Sequence, residues 1–339
     1  MVSCMSFIID NTWADWFWSS PEGRSGRFAT SSKALLEHAA SPTANDASTL
    51  PAPFHEYERP IHVLVSDPAA RLHREDLHAH VIRNTLPGFP FWRINDDWLV
   101  SCPELTFVEL AAQLPFNELI AVGYEYCGTY ALFAPTGKAV SDLEPVTTPE
   151  SLLRFAERCP RMPGISIARK AARYVYGNSA SVMETSMHMR LSLPSRMGGY
   201  PSPESSMNHE VRLRYNARRI YKRGSCRFDL YYPQIKLDLE YNGKEHESKM
   251  ESDSARDAAL KRMGYQTMTV TKRQYNDFIA FGEIVRSISE KHGLYVRRDQ
   301  VEYTEARGKL YNDLMVYGTG RNRLQAHNAL EWPNGNPCS

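Results

Sequence analysis

The chain has 339 residues, 42% of them hydrophobic, and a formal net charge of +1; it is too long for one minimal domain and suits two. It has no apolar run long enough for a membrane span and no basic segment ahead of the apolar patch in its opening twenty residues, so neither a membrane partner nor a secretion signal is expected. Six scattered cysteines (4, 102, 127, 159, 226 and 338) form no Cys-x-x-Cys pair, which argues against a zinc knuckle or a disulfide scaffold and for a reducing cytoplasm.

Residues 1–57 read as a helical and linker segment. ADWFW, with Trp13, Trp16, Phe17 and Trp18 nearby, is expected to form a short amphipathic helix packed on a core. SPTANDASTLPAP reads as a long loop. Residues 58–178 read as an α+β accessory domain. IHVLVS is a buried strand, and RLHREDLHAHVIR follows as a helix or an extended segment. FWRIND and DWLVS make a hairpin around Asn95-Asp96-Asp97. Pro103 opens a helix, and a second begins near Pro115 to Glu118. His73, His78 and His80 suggest a metal, because His-x-His on a strand places two rings on one face. No cysteine or further histidine nearby completes a ligand set, so surface histidines are the expectation.

Residues 149–176 predict two helices broken at Pro160 and Pro163-Gly164. The second carries Arg169, Lys170 and Arg173, either a solvated face or a phosphate contact. A third helix follows, capped by Ser179 or Ser181, with Glu184 in its first turn. Glu184 there either complements the helix dipole or reaches a metal cluster. A basic strand pair is expected around EVRLRYNARRIYKRG. Arg218, Arg219, Lys222 and Arg223 are its candidate phosphate contacts.

Phe228 to His246, FDLYYPQIKLDLEYNGKEH, is the stretch that carries chemistry. FDLYY and KLDLEY have strand character, with YPQI as a turn. A hairpin of this length brings Asp229 beside Glu240, and alternation places Glu240 and Asn242 on one face. Carboxylates held close repel unless a cation lies between them, and oxygen ligands suit Mg²⁺ or Mn²⁺. Asp253 is expected to cap the next helix, and Arg256 to steady the carboxylates or pair with Asp253. YQTMTVT is a strand, and YNDFIAFGEIVRSISEKHG an amphipathic closing helix. Residues 296–339 read as a charged, partly disordered tail.

Asp229, then Glu240-Tyr241-Asn242-Gly243, His246, Asp253-Ser254-Ala255-Arg256, Met263-Gly264-Tyr265 and the upstream Glu184 resemble the motifs of the PD-(D/E)XK nuclease superfamily. They are most similar to its Vsr-like branch of actinobacterial type, over residues 180–292. Asn242 departs from that branch, where Asp is usual; Asn is neutral and cannot act as a base, and Lys244 is a nearby charge. The segment before it, with Ser101, Pro103 and Glu104, is similar to the C-terminal part of AbiE-type antitoxins.

The resemblance implies an α/β fold: a PD-(D/E)XK-like mixed sheet flanked by helices over 179–295, behind an N-terminal α+β domain. It implies Mg²⁺ or Mn²⁺ on Asp229 and Glu240. Glu184, Asn242, Lys244 and His246 would complete a catalytic set. Arg218, Arg219, Lys222, Arg223 and Arg256 would hold nucleic acid. From Glu184 to Arg273 there are 17 Lys and Arg against 11 Asp and Glu, a local balance of +6, against about −5 for the remainder; a basic surround of this kind suits a phosphodiester backbone. The expected activity is metal-dependent hydrolysis of DNA, in phage defence or repair. The alternative is a degenerate nuclease fold that binds nucleic acid, or a partner protein in a toxin–antitoxin pair.

Overall fold

A computed structural model describes residues 6–26, 28–31, 33–83, 85–133, 136–242 and 250–328. The chain divides into two compact units, residues 1–176 with 316–339, and residues 177–315. Both are mixed α/β. Among the described residues no helix is long and apolar enough to cross a membrane.

The first unit is organised on a six-stranded sheet. Its elements in order are β1 (Phe7–Ile9), α1 (Asn11–Trp18), α2 (Pro21–Ser25), β2 (Ala29–Ser31), α3 (Ala44–Ala47), β3 (Ile61–Val65), β4 (Leu77–Val81), β5 (Phe91–Arg93), β6 (Trp98–Ser101), α4 (Pro103–Leu110), α5 (Phe116–Tyr126), β7 (Ala131–Phe133), β8 (Lys138–Val140), α6 (Pro149–Arg158) and α7 (Ile165–Ala172). The strand order is β2-β5-β6-β1-β3-β4. β1 runs parallel to β6 and antiparallel to β3, so the N-terminal strand lies inside the sheet. Residues 6–57 are therefore part of this unit and not a separate segment. RLHREDLHAHVIR resolves as extended β4, parallel to β3. SPTANDASTLPAP contains a one-turn helix, which Thr43 and Asp46 close with reciprocal caps.

The aromatic N-terminal helix differs from expectation. Every residue of α1 is buried, so it is not amphipathic. It lies among β3, β6, α4 and a C-terminal helix, α14 (Arg321–Asn328). Trp13, Trp16 and Trp18 are fully buried, and the Trp18 indole N–H donates to the Ser101 carbonyl at 2.9 Å. Asp15, also buried, accepts from Arg323 Nη2 and Nε at 2.6 and 2.8 Å. Arg323 Nη1 reaches Glu125 Oε2 at 2.8 Å. The tail is thus helical as far as Asn328 and anchored by a buried arginine, which corrects the expectation of disorder for that part. Residues 329–339 lie outside the described residues.

The second unit follows the order α8 (Val182–Ser192), β9 (Ser206–Arg212), α9 (Tyr215–Arg218), β10 (Ser225–Tyr232), β11 (Leu237–Asn242), α10 (Met250–Arg262), β12 (Gln266–Thr271), α11 (Lys272–Asn276), α12 (Phe278–Lys291) and α13 (Glu305–Tyr317). Its sheet has the order β12-β11-β10-β9. β9, β10 and β11 are antiparallel neighbours, while β12 joins β11 in parallel after the crossover through α10. Pro233 to Ile235 form the turn between β10 and β11, and Lys236 closes it with φ 50°. Gly264, at φ +83°, ends α10 in the left-handed conformation that favours glycine.

Three local expectations change here. The basic stretch after β9 is a helical turn, α9, and not a second strand. The closing helix is two helices, because Asp277 caps α12 by accepting from the Ile279 and Ala280 amides. Asp253 lies inside α10, exposed, and caps nothing, since the helix already begins at Met250.

Candidate carboxylate site on the β10–β11 hairpin

The hairpin register pairs Leu230 with Leu239 and Tyr231 with Asp238. Continued by one residue, it sets Asp229 opposite Glu240. Opposite residues share a face of an antiparallel pair, and so do residues two apart. Asp229, Asp238, Glu240 and Asn242 therefore gather along one side of the hairpin. The Tyr241 amide donates to Asp229 Oδ2 at 2.9 Å and fixes that carboxylate.

Asp238 was not among the sequence candidates, because LDLEY reads as ordinary alternation. It is fully buried, and among the described residues its Oδ1 has no hydrogen-bond partner. Burial, then the charge and hydrogen bond of Glu240, raise its pKa well above the usual carboxylate range, although Arg256 is close. Burial and the Glu240 charge likewise push Asp229 up to about 6, against the pull of the Tyr241 amide and Arg256. Glu184 is pushed up to about 7 by burial and by the charge of Asp229. That electrostatic link ties the α8 N-terminus to the hairpin. Glu184 also closes a cap: its oxygens accept from the Ala180 amide at 2.9 Å and the Ser181 hydroxyl at 3.0 Å. The helix-terminus role expected for Glu184 is therefore seen directly in these bonds.

Arg256 is the cation of the cluster. Its Nη2 lies 3.1 Å from Asp238 Oδ2, contacts Glu240, and donates to the Arg227 carbonyl at 2.9 Å. Burial works against its charge, but Glu240 and Asp238 outweigh burial and hold the guanidinium above its ordinary pKa. Of the two roles expected for it, Arg256 steadies the carboxylates rather than pairing with Asp253. Its expected place among the phosphate contacts is also displaced inward, because the carboxylates take up its inner nitrogen.

The other basic candidates separate. Arg218 turns back to donate to the Leu213 carbonyl at 2.8 Å. Arg219, Lys222 and Arg223 are exposed. Only Arg223 lines the cleft beside the hairpin, a volume of about 510 Å³ bounded by Tyr221, Arg223, Gly224, Ser225, Cys226, Arg227 and Arg256. Arg227 was missed, because its position in a strand hid its exposure. Asn242 ends β11 and is exposed. Lys244 and His246 lie outside the described residues.

The donor set is all oxygen, which suits a hard divalent ion. Mg²⁺ commonly takes one or two carboxylates and keeps several waters. Asp229 and Glu240 are the pair of carboxylates that would meet that demand. Among the described residues no group of three or more His, Cys, Asp or Glu is gathered as a ready ligand shell. Any such ion would therefore rest on the pair together with solvent.

Another constellation lies in the first unit. His62 on β3 pairs in register with His78 on β4, and Leu64 with His80. The His62 ring lies 5.5 Å from that of His78 and 5.2 Å from that of His80, with Nδ1 of His62 3.1 Å from Nε2 of His80. A third histidine does therefore stand near the His-x-His pair. Only the parallel pairing of β3 with β4 brings it there. His73 is not part of the stack.

No protein-family model, curated protein or solved structure matches the chain.

Proposed function

We propose that this protein is a metal-dependent phosphodiesterase acting on nucleic acid, with DNA as the expected substrate, and that the second unit carries the activity. The observation that supports this best is the facing pair Asp229–Glu240, with Glu184 electrostatically coupled to it and Asp238 behind it. The order helix, three antiparallel strands, helix, parallel strand agrees with the PD-(D/E)XK-like architecture that the motifs suggest. The cleft with Arg223 and Arg227 supplies positive charge where a phosphate would lie.

A bound Mg²⁺ or Mn²⁺ would supply a water of lowered pKa and a counter-charge for the phosphate. The residues of the chain do the rest. Asp229 is held through one oxygen by the Tyr241 amide. Glu240 lies opposite, in contact with Arg256. Arg223 and Arg227 orient the phosphate, and Tyr221 offers a ring beside it. Asp238 carries a proton at neutral pH and preserves the hydrogen bond to Glu240.

A second reading has its own support. Arg256 already neutralises Glu240, and Asn242 is neutral where a charged residue is usual. Both features suit a binding or regulatory protein on a degenerate nuclease fold, such as a member of a toxin–antitoxin or defence pair. Calorimetric titration of the intact protein with Mg²⁺ and Mn²⁺, alongside cleavage of plasmid and single-stranded DNA, separates the two. The enzyme reading requires millimolar or tighter ion binding that Glu240→Gln removes together with cleavage. Retained DNA binding with no ion uptake and no cleavage selects the second reading.

A further inference from the structure

In the interior of the second unit, beside β11, two guanidinium groups are buried without a carboxylate. Arg190 on α8 is 1% exposed and Arg307 on α13 is 4% exposed. Among the described residues every ion pair is made by other cations. Arg190 is boxed by aromatic rings: its Cζ lies 3.8 Å from the centroid of Phe281, 4.5 Å from Tyr275 and 5.7 Å from Tyr200. Arg307 lies against the same Tyr200 ring, 4.3 Å from its centroid. Each arginine spends some donors on carbonyls: Arg190 on Tyr275 at 2.6 Å, Arg307 on Gln300 at 2.6 Å and on Glu302. Among the described residues, Arg190 Nη2, Arg307 Nε and Tyr200 Oη are buried with no hydrogen-bond partner.

All three can donate, and the two nitrogens can do nothing else. The missing partner is therefore an acceptor. Two buried positive charges in one aromatic cluster also require negative charge, because ring faces weaken the cost of burial without cancelling it. Arg307 carries the mark of this: burial and the Arg190 charge both work against its protonated form.

We propose that Arg190, Arg307 and Tyr200 hold a compact anion of the halide class. The crowding of rings around Arg190 favours a monatomic acceptor over a tetrahedral oxyanion. The consequence is local order. The anion would tie α8 to α13 next to Tyr275, whose hydroxyl meets Ser186 on α8 at 2.5 Å and whose ring meets Tyr241 on β11 at 5.8 Å. Glu184 on α8 and Asp229, held by the Tyr241 amide, would be steadied from behind.

The test is thermal unfolding of the intact protein at constant ionic strength, with gluconate replaced stepwise by chloride, bromide or phosphate. The expected result is a rise of about 2–4 °C per tenfold halide once the site begins to fill, lost in Arg190→Met. Crystals soaked in bromide give a second readout that needs no variant: an anomalous peak in contact with Arg190 Nη2 and Arg307 Nε. A response to phosphate alone, a halide response that survives Arg190→Met, or absence of the bromide peak each overturns the proposal.

Discussion

Asp229 and Tyr241 are joined across the hairpin by a single hydrogen bond, from the Tyr241 amide to Asp229 Oδ2 at 2.9 Å. The bond fixes one carboxylate oxygen and leaves the other to the site. An amide in place of this carboxylate still accepts the bond. Asp229→Asn is therefore expected to keep the fold, with an unchanged circular dichroism spectrum and melting within a few degrees of wild type. The same change, like Glu240→Gln, is expected to lower cleavage by at least about a hundredfold, since each removes charge from the site that should hold the ion. Cleavage at wild-type rates in both variants would sink the assignment.

Asp238 sets the stability of the hairpin against pH. Its raised pKa means that the native state binds a proton which the unfolded chain releases above pH ~4. The stability from that proton is full below pH ~4 and falls as pH rises, by at most about 1.4 kcal/mol per pH unit. Asp229 and Glu184 act in the same direction up to their values of about 6 and 7. Asp238→Asn is expected to be more stable than wild type at pH 8 and near parity at pH 4, read as denaturant midpoints in EDTA. A variant less stable at pH 8 contradicts this account.

The histidine stack acts in the opposite sense. Burial, aided by the neighbouring His78 and Arg71 charges, lowers His80 to about 3, against an unfolded value near 6.5. The folded state then excludes a proton that the unfolded chain accepts. This contribution is full above pH ~6.5 and is lost as pH falls toward 3. Acid unfolding of the first unit should therefore begin below pH ~6.5, with a slope that His80→Gln reduces. Equal slopes in the two proteins would show that the stack does not titrate with unfolding.

Arg323 closes a buried ionic group with Asp15 and Glu125, and all three are almost fully buried. Removing one partner of such a group strands the others, at a cost of about 3–5 kcal/mol. Arg323→Met is expected to lower the stability of the first unit by that amount, measured by urea denaturation followed through its tryptophans. Arg323→Met with Asp15→Asn should recover part of the loss. A single variant as stable as wild type contradicts the claim that this arginine anchors the tail.

Much of the hairpin was legible because its signals are local. Alternating apolar residues define β10 and β11, and Pro233 with a left-handed Lys236 defines the turn. Glu184 was legible through its capping serine. What escaped depends on pairing between distant segments. His62 and His80 are eighteen residues apart and meet only through the β3–β4 ladder. Asp238 looks like any polar residue in an alternating strand until its burial is seen. Arg323 lies in a sequence as polar as a disordered tail, and Asp15, 308 residues away, together with Glu125 makes it part of a core. For Arg256 the spacing left two roles open, steadying the carboxylates or pairing with Asp253, and only the contacts with Asp238 and Glu240 on β11 decide for the first.

The first unit is built from both ends of the chain, with residues 177–315 inserted between them. During synthesis, which runs from the N-terminus, the inserted unit is contiguous and can close soon after it leaves the ribosome. The first unit cannot. Asp15 and Glu125 emerge early, and the arginine that neutralises both arrives some two hundred residues after Glu125. A chain cut short anywhere before Arg323 leaves Asp15 and Glu125 without the guanidinium that bridges them. The core of the first unit is therefore complete only once the segment that carries Arg323 has been added.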